Sequence, residues 1–225
     1  MKLKKVDPKL LMGLILTILG GYLDIYTFIC RGNVFANVQT GNVVFLSMNM
    51  IEGDYSKALS YLWPIIAFIL GAFASVLLKE LLNTDILRYK RDIILLEAVI
   101  LALAGLLPAE QNNFANMLIS FACSVQVEIF GDYGGNKFFT IMSTGNLYNA
   151  AKWSCSYILK PHIKELKAAS LRYILFVACF AAGGSLGTVF SMIWGRYAVL
   201  FTPIILTAVL LISGASFGIG RARAE

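Results

Sequence analysis

The sequence predicts an all-α integral membrane protein: six transmembrane helices in two inverted three-span repeats, each with a discontinuous, re-entrant Thr-Gly-Asn segment. Three observations carry that expectation. Hydrophobic residues fill 58% of the 225 positions against 14% charged, with mean hydropathy +0.74, which leaves too little polar surface to cover a soluble globule. Apolar runs of membrane-spanning length recur along the chain. The tripeptide Thr-Gly-Asn occurs twice, in "GNVFANVQTGNVV" (32–44) and in "NKFFTIMSTGNLY" (136–148).

A crossing needs about 20 apolar residues, and residues 10–30, 58–78, 173–194 and 197–220 reach that length with at most one charge. Residues 93–107 and 114–130 are shorter and carry Glu97 and Glu128. The opening "MKLKKVDPK" resembles the basic start of a signal peptide. The apolar run behind it is long and shows no small-residue cleavage site before Asp24 and Tyr26, so it reads as a retained first span.

Sliding the chain on itself by 104 residues sets Ile25 on Ile129, Phe35 on Phe139, one Thr-Gly-Asn on the other, and Asp24 on Glu128. The next span of each half holds a small-xxx-small pair, Gly71/Ser75 and Gly183/Gly187. The chain therefore divides into two membrane repeats, 1–108 and 109–225, within one integrated domain. Charge decides their relative direction. If the Thr-Gly-Asn segments cross, the Lys/Arg count is 12 inside against 7 outside; if they enter and return on one side, it is 16 inside against 3 outside, namely Arg31, Lys57 and Arg196. The positive-inside rule prefers the second arrangement. The expectation is a multi-pass inner-membrane protein with inverted repeats and both termini cytoplasmic.

Residues 33–39 alternate poorly for a helix and carry Asn37 and Gln39, whereas "GNVVFLSMNMI" can run as a short helix. Thr40 and Asn42 are N-cap residue types, and Gly41 permits a sharp bend between them. The segment is expected to enter extended and leave helical, shielded at the centre of the fold, because extended backbone at membrane depth must have its amides and carbonyls satisfied. Inverted repeats with broken helices, whose positive ends aim at a midplane site, are a transporter design. The expected substrate site is Thr40, Gly41, Asn42, Thr144, Gly145 and Asn146, lined by Phe35 and Phe139. Half-helix starts suit an anionic solute. Asp24 and Glu128 are the candidate proton or ion-coupling groups, since intramembrane carboxylates are costly and functional. The same residues also fit a packing device with hydrated carboxylates at span ends, and both readings stay open.

The pattern Gly21-x-x-Asp24-x-x-x-Phe28, then Gly32-x-Val34-Phe35, then Asn37-x-x-Thr40-Gly41-Asn42 resembles the first-half signature of the YoaK family, bacterial multi-spanning membrane proteins whose domain has no known function. The second half is similar more loosely: Gln126 and Thr144-Gly145-Asn146 fit, while Glu128 stands where a small residue is expected and "GDYGGNK" lacks the usual basic character. The resemblance implies an inner-membrane protein with no established substrate.

A small secondary transporter or permease for an unknown solute is the leading reading, and a membrane scaffold or regulatory protein is the alternative. Enzyme chemistry is disfavoured. "GASFG" (214–218) matches Gly-x-Ser-x-Gly, but the only histidine is His162, in a basic loop, so Ser216 lacks an evident base. No Walker loop or His-Glu-x-x-His motif occurs, and no cofactor is expected. Cys30, Cys123, Cys155 and Cys179 have no metal-ligand spacing and read as free thiols. The net charge of +6 does not point to nucleic acid, because the basic residues flank apolar runs. The expected partners are lipids, with "KPHIKELKAASLR" on the anionic cytoplasmic leaflet. Pairs such as Gly183/Gly187 and Gly214/Gly218 favour close helix contact, within one chain or across a homodimer.

Overall fold

The computed structural model describes residues 7–82, 86–130, 132–133, 136–137, 141 and 143–218, with side chains described for 7, 10–81, 91–127, 141 and 143–210. It is all-α apart from one short hairpin. Helix α1 (Pro8–Cys30) starts on a proline, whose fixed φ suits a first turn. It is followed by Gly32 and Asn33 in left-handed conformation, φ 90° and 63°, a state glycine and asparagine tolerate. The chain then runs without helix to α2 (Gln39–Glu52). With 14 residues α2 is about 21 Å long, short of a hydrocarbon core of about 30 Å. Beyond it come α3 (Tyr55–Leu82), with Pro64 inside, α4 (Ile86–Leu106) and α5 (Asn112–Phe130). An antiparallel pair, β1 (Asp132–Tyr133) and β2 (Asn136–Lys137), precedes α6 (Ser143–Leu159). Then α7 (Lys164–Trp194) and α8 (Phe201–Gly218) flank a 3-10 turn over Gly195–Leu200.

Three described stretches are long and apolar enough to cross a membrane: Leu10–Cys30, Tyr55–Leu81 and Lys164–Leu210, the last including the 3-10 turn. Helix α4 carries Arg91, Asp92 and Glu97, and α5 carries buried Asn116, Ser120, Ser124 and Gln126. The outer faces of α3 and α7 expose Ile69, Leu70, Phe73, Leu81, Leu171, Met192 and Ile193. Apolar surface on that scale suits lipid and not water. The chain is a helical membrane protein. Its core gathers Leu16, Leu19, Leu23 and Tyr26 of α1 with Ile94 and Leu101 of α4, Ile119 of α5 and Leu206 of α8.

The two halves exchange their long helices: α1 packs on α7 and α3 packs on α5. The contacts repeat in detail. A Cβ on Gly71 would stand 2.6 Å from the Phe121 carbonyl oxygen, and a Cβ on Gly183 would strike that of Ile18. The Phe68 carbonyl meets Ser124, whose Oγ donates to it at 2.6 Å, and the Phe180 carbonyl meets Gly21. Gly71 and Gly183 are 112 positions apart, as are Phe68 and Phe180; Ile18 and Phe121 are 103 apart, as are Gly21 and Ser124. Small residues let these backbones approach closely. This relation is one residue short of the shift that superimposes the Thr-Gly-Asn triplets.

Candidate functional site

The expected N-cap roles of Thr40 and Asn42 are not what forms. Helix α2 begins at Gln39 with Val38 in the N-cap position and no side-chain cap from it, because the helix starts before the triplet. Thr40 is exposed. Asn42 folds back instead. Its Oδ1 accepts the Phe35 N–H at 3.0 Å, while Nδ2 donates to the Phe35 carbonyl at 2.8 Å and to Gln39 Oε1 at 2.9 Å. The side-chain amide pairs with the extended backbone much as a strand partner would. Gly41 leaves room for the Phe35 ring, whose Cδ2 lies 2.9 Å from where a Cβ would be. That ring stacks between Phe28 and Phe45 at 5.0 and 6.4 Å.

The amides that lead into α2 find their acceptor in α1. Asp24 is 3% exposed, and its Oδ1 accepts the N–H groups of Asn37 at 2.7 Å and Val38 at 3.3 Å. A carboxylate there complements the positive end of the helix. The Asn37 and Val38 amides are thus engaged by the protein's own anion, while the Gly41 and Asn42 amides donate to the Val38 carbonyl. Asn37 anchors the same turn, Nδ2 donating to the Gly20 carbonyl at 3.0 Å.

Helix α5 serves the rest of the extended segment. Asn116 Nδ2 donates to the Arg31 carbonyl at 2.9 Å and Ser120 Oγ to the Ala36 carbonyl at 2.7 Å, with Gln39 Nε2 joining at 2.8 Å. The two ends of the segment are tied together: Lys57 Nζ, at the start of α3, donates to the Gly32 carbonyl at 2.7 Å. Asp24, seven residues before Arg31, lies about 10 Å deeper along α1. Arg31, expected as an outer loop charge, is instead 1% exposed. It donates to Tyr26 Oη at 2.8 Å, to the carbonyls of Ala104 and Leu107 at 2.7 and 3.0 Å and to Asn112 Oδ1 at 3.1 Å. A cation at the carbonyl end of α4 meets the negative end of its dipole.

Two further buried residues, to which the sequence reading gave no role, belong to the same interior. Glu97 of α4 is 2% exposed, and Cys123 of α5 is fully buried. The Cys123 side chain stands in the electrostatic field of both Glu97 and Asp24 and beside the Asn37 side chain. Six buried side-chain atoms among those described lack a hydrogen-bond partner, and five are acceptor oxygens: Asp24 Oδ2, Asn37 Oδ1, both Glu97 oxygens and Asn116 Oδ1. The signal in the sequence was the four-residue spacing of Asn116, Ser120 and Ser124, a polar stripe along α5.

In the second half Thr144 is exposed, Gly145 half-buried and Asn146 buried, matching the order in the first. Helix α6 packs on α7 as α2 packs on α3, and α2 and α6 are not a packing pair among the described residues. Phe139 and the side chain of Glu128 lie outside the described residues, as does the side chain of Ser216. His162 is exposed beside α7.

Fold and site define a class: a helical membrane protein in which a short half-helix and its extended lead-in pack against a polar, acceptor-rich interior. Residues 12–213 match the family model described as "Protein of unknown function (DUF1275)", and the chain belongs to that family. The YoaK-type resemblance is consistent with it. No curated protein and no solved structure matches the chain.

Proposed function

We propose that the protein is a small gradient-driven permease of the inner membrane, not an enzyme, whose path runs along the polar face of α5 past Asp24 and Glu97. In this reading α1, α3, α4, α5, α7 and α8 are six spans, residues 1–108 and 109–225 are inverted three-span repeats, and both termini are cytoplasmic. The segments leading into α2 and α6 enter the membrane and return. The swapped pairs α1–α7 and α3–α5 support that symmetry, and the Lys57–Gly32 contact supports the return of the first segment.

The observation that carries the reading is the run of orphan acceptors around Asp24, Asn37 and Glu97. Acceptors without donors in a membrane interior call for a proton, a small cation or a hydrogen-bond donor. The expected anionic solute is therefore replaced by a cationic or protonated one. Arg31, the one buried cation among the described side chains, directs its donors to carbonyls, Tyr26 and Asn112 and compensates neither carboxyl.

Purified protein in phosphatidylethanolamine–phosphatidylglycerol vesicles loaded with a pH-sensitive dye tests the proposal. Under an imposed proton gradient, with Na⁺, K⁺ and ammonium offered in turn, the gradient should collapse faster than in protein-free vesicles. Equal rates under every condition contradict a permease and favour the scaffold alternative.

A further inference from the structure

Glu97 lies in the run "IILLEAVILALAG" (93–105), with buried Ile93, Ile94, Ala98 and Leu101 around it on α4. Helix α4 packs against α5, α8 and the 3-10 turn. From α5 the titratable side chain in its field is Cys123, which also senses Asp24 of α1. The described side chains of α8 are uncharged. Arg196 of the turn donates to Tyr197 Oη at 2.7 Å, and Arg91, on α4 itself, pairs with Asp92 at 2.9 Å. No described cation is therefore directed at Glu97. The two acids differ in kind. Asp24 has one oxygen held by two backbone amides, whereas both oxygens of Glu97 are without a partner.

A carboxylate shut into hydrocarbon with neither donor nor cation is strongly disfavoured, so Glu97 needs a positive partner whenever the site is closed. We propose that Glu97 is the exchange carboxyl of the path: it binds a proton when the path is closed and yields it to water when the path opens, as a small monovalent cation takes the place beside the carboxylate. One positive charge enters as one leaves, so the carboxyl is never bare. Asp24 fixes the half-helix that lines the path with one oxygen and offers the other to the path. This inference rests on the permease reading and adds to it the residue that couples solute to proton.

The test uses the full chain in lipid vesicles and N,N′-dicyclohexylcarbodiimide, which adds to protonated carboxyl groups in apolar surroundings. Peptide mass spectrometry should find the adduct on Glu97, weakened by raised pH or by excess monovalent cation, and absent in Glu97→Gln. Proton flux should be lost in Glu97→Gln and partly retained in Glu97→Asp. Parent flux that Glu97→Gln keeps would overturn this inference alone, whereas absence of flux in the parent overturns the permease reading and this one with it. Should Glu97→Gln not fold, labelling of the parent decides: no adduct on Glu97, or one indifferent to pH and cation, refutes the exchange role.

Discussion

The Asp24 carboxylate accepts the backbone N–H of Asn37 at 2.7 Å, across thirteen residues of sequence, and so a side chain of α1 holds the residues that lead into α2. The bond fixes how deep the extended segment reaches, because Asn37 is also tied to the Gly20 carbonyl of α1. It leaves Asp24 Oδ2 without a partner. One carboxyl group therefore holds a half-helix in place and still offers an acceptor to the interior.

Asn42 acts as a strut between the extended segment and the helix. Asn42→Asp keeps the acceptor facing the Phe35 N–H but removes both Nδ2 donors and sets a carboxylate beside Gln39 Oε1. A loss of about 1–3 kcal/mol is expected, seen as a lower melting temperature in detergent. A melt equal to the parent's would contradict the strut.

Arg31 ties the end of α1 to the turn between α4 and α5. Arg31→Ala orphans the Ala104 and Leu107 carbonyls, and Arg31→Lys supplies a point charge that cannot reproduce the planar fork. Both variants should melt well below the parent, with Lys only partly restoring stability. Full rescue by Lys would show that charge alone matters at this position.

The swapped helix pairs make a contrast between adjacent glycines. Gly183→Ala places a methyl group against the Ile18 carbonyl and backbone, which cannot move aside, and should sharply reduce the yield of folded protein. Gly184→Ala meets Ile25 Cγ1 at 3.4 Å, an ordinary contact, and should change stability by less than about 0.5 kcal/mol. Similar losses at the two positions, measured by size-exclusion profile and melting, would refute the tight α1–α7 crossing.

The proposed topology is open to reporter fusions. Fusions after Thr84 and after Lys164 should both report cytoplasm, and one after Asp54 the opposite side. An external signal after Thr84 would replace inverted repeats with parallel ones.

Membrane class and the extended-then-helical course of residues 32–52 were legible because both follow from composition and short-range pattern. The change of backbone at Gln39 fell within one residue of the triplet. The chemistry of the site was not legible, because its partners are far apart along the chain. The anchor at the entry to α2 comes from Asp24 and not from Thr40 or Asn42. Apart from Tyr26, the acceptors for Arg31 come from residues 73 to 81 positions away. Glu97 reads as an interruption of an apolar run until α4 is packed against α5. The 104-residue shift paired Asp24 with Glu128 on the strength of the triplets, whereas packing relates α1 to α5 by 103, and one residue on a helix is a rotation of about 100°.

Proton flux through vesicles containing Asp24→Asn, set beside Asp24→Ala, tests the central claim most directly. Asparagine can present its Oδ1 to the Asn37 and Val38 amides, so the half-helix should stay anchored and the protein should melt near the parent temperature. Alanine leaves those amides without an acceptor and should lower it, by about 1–3 kcal/mol of stability. The account predicts that Asp24→Asn is folded and has lost proton-coupled flux. Flux equal to the parent's in folded Asp24→Asn would show that Asp24 only anchors α2 and would contradict a path past this carboxyl.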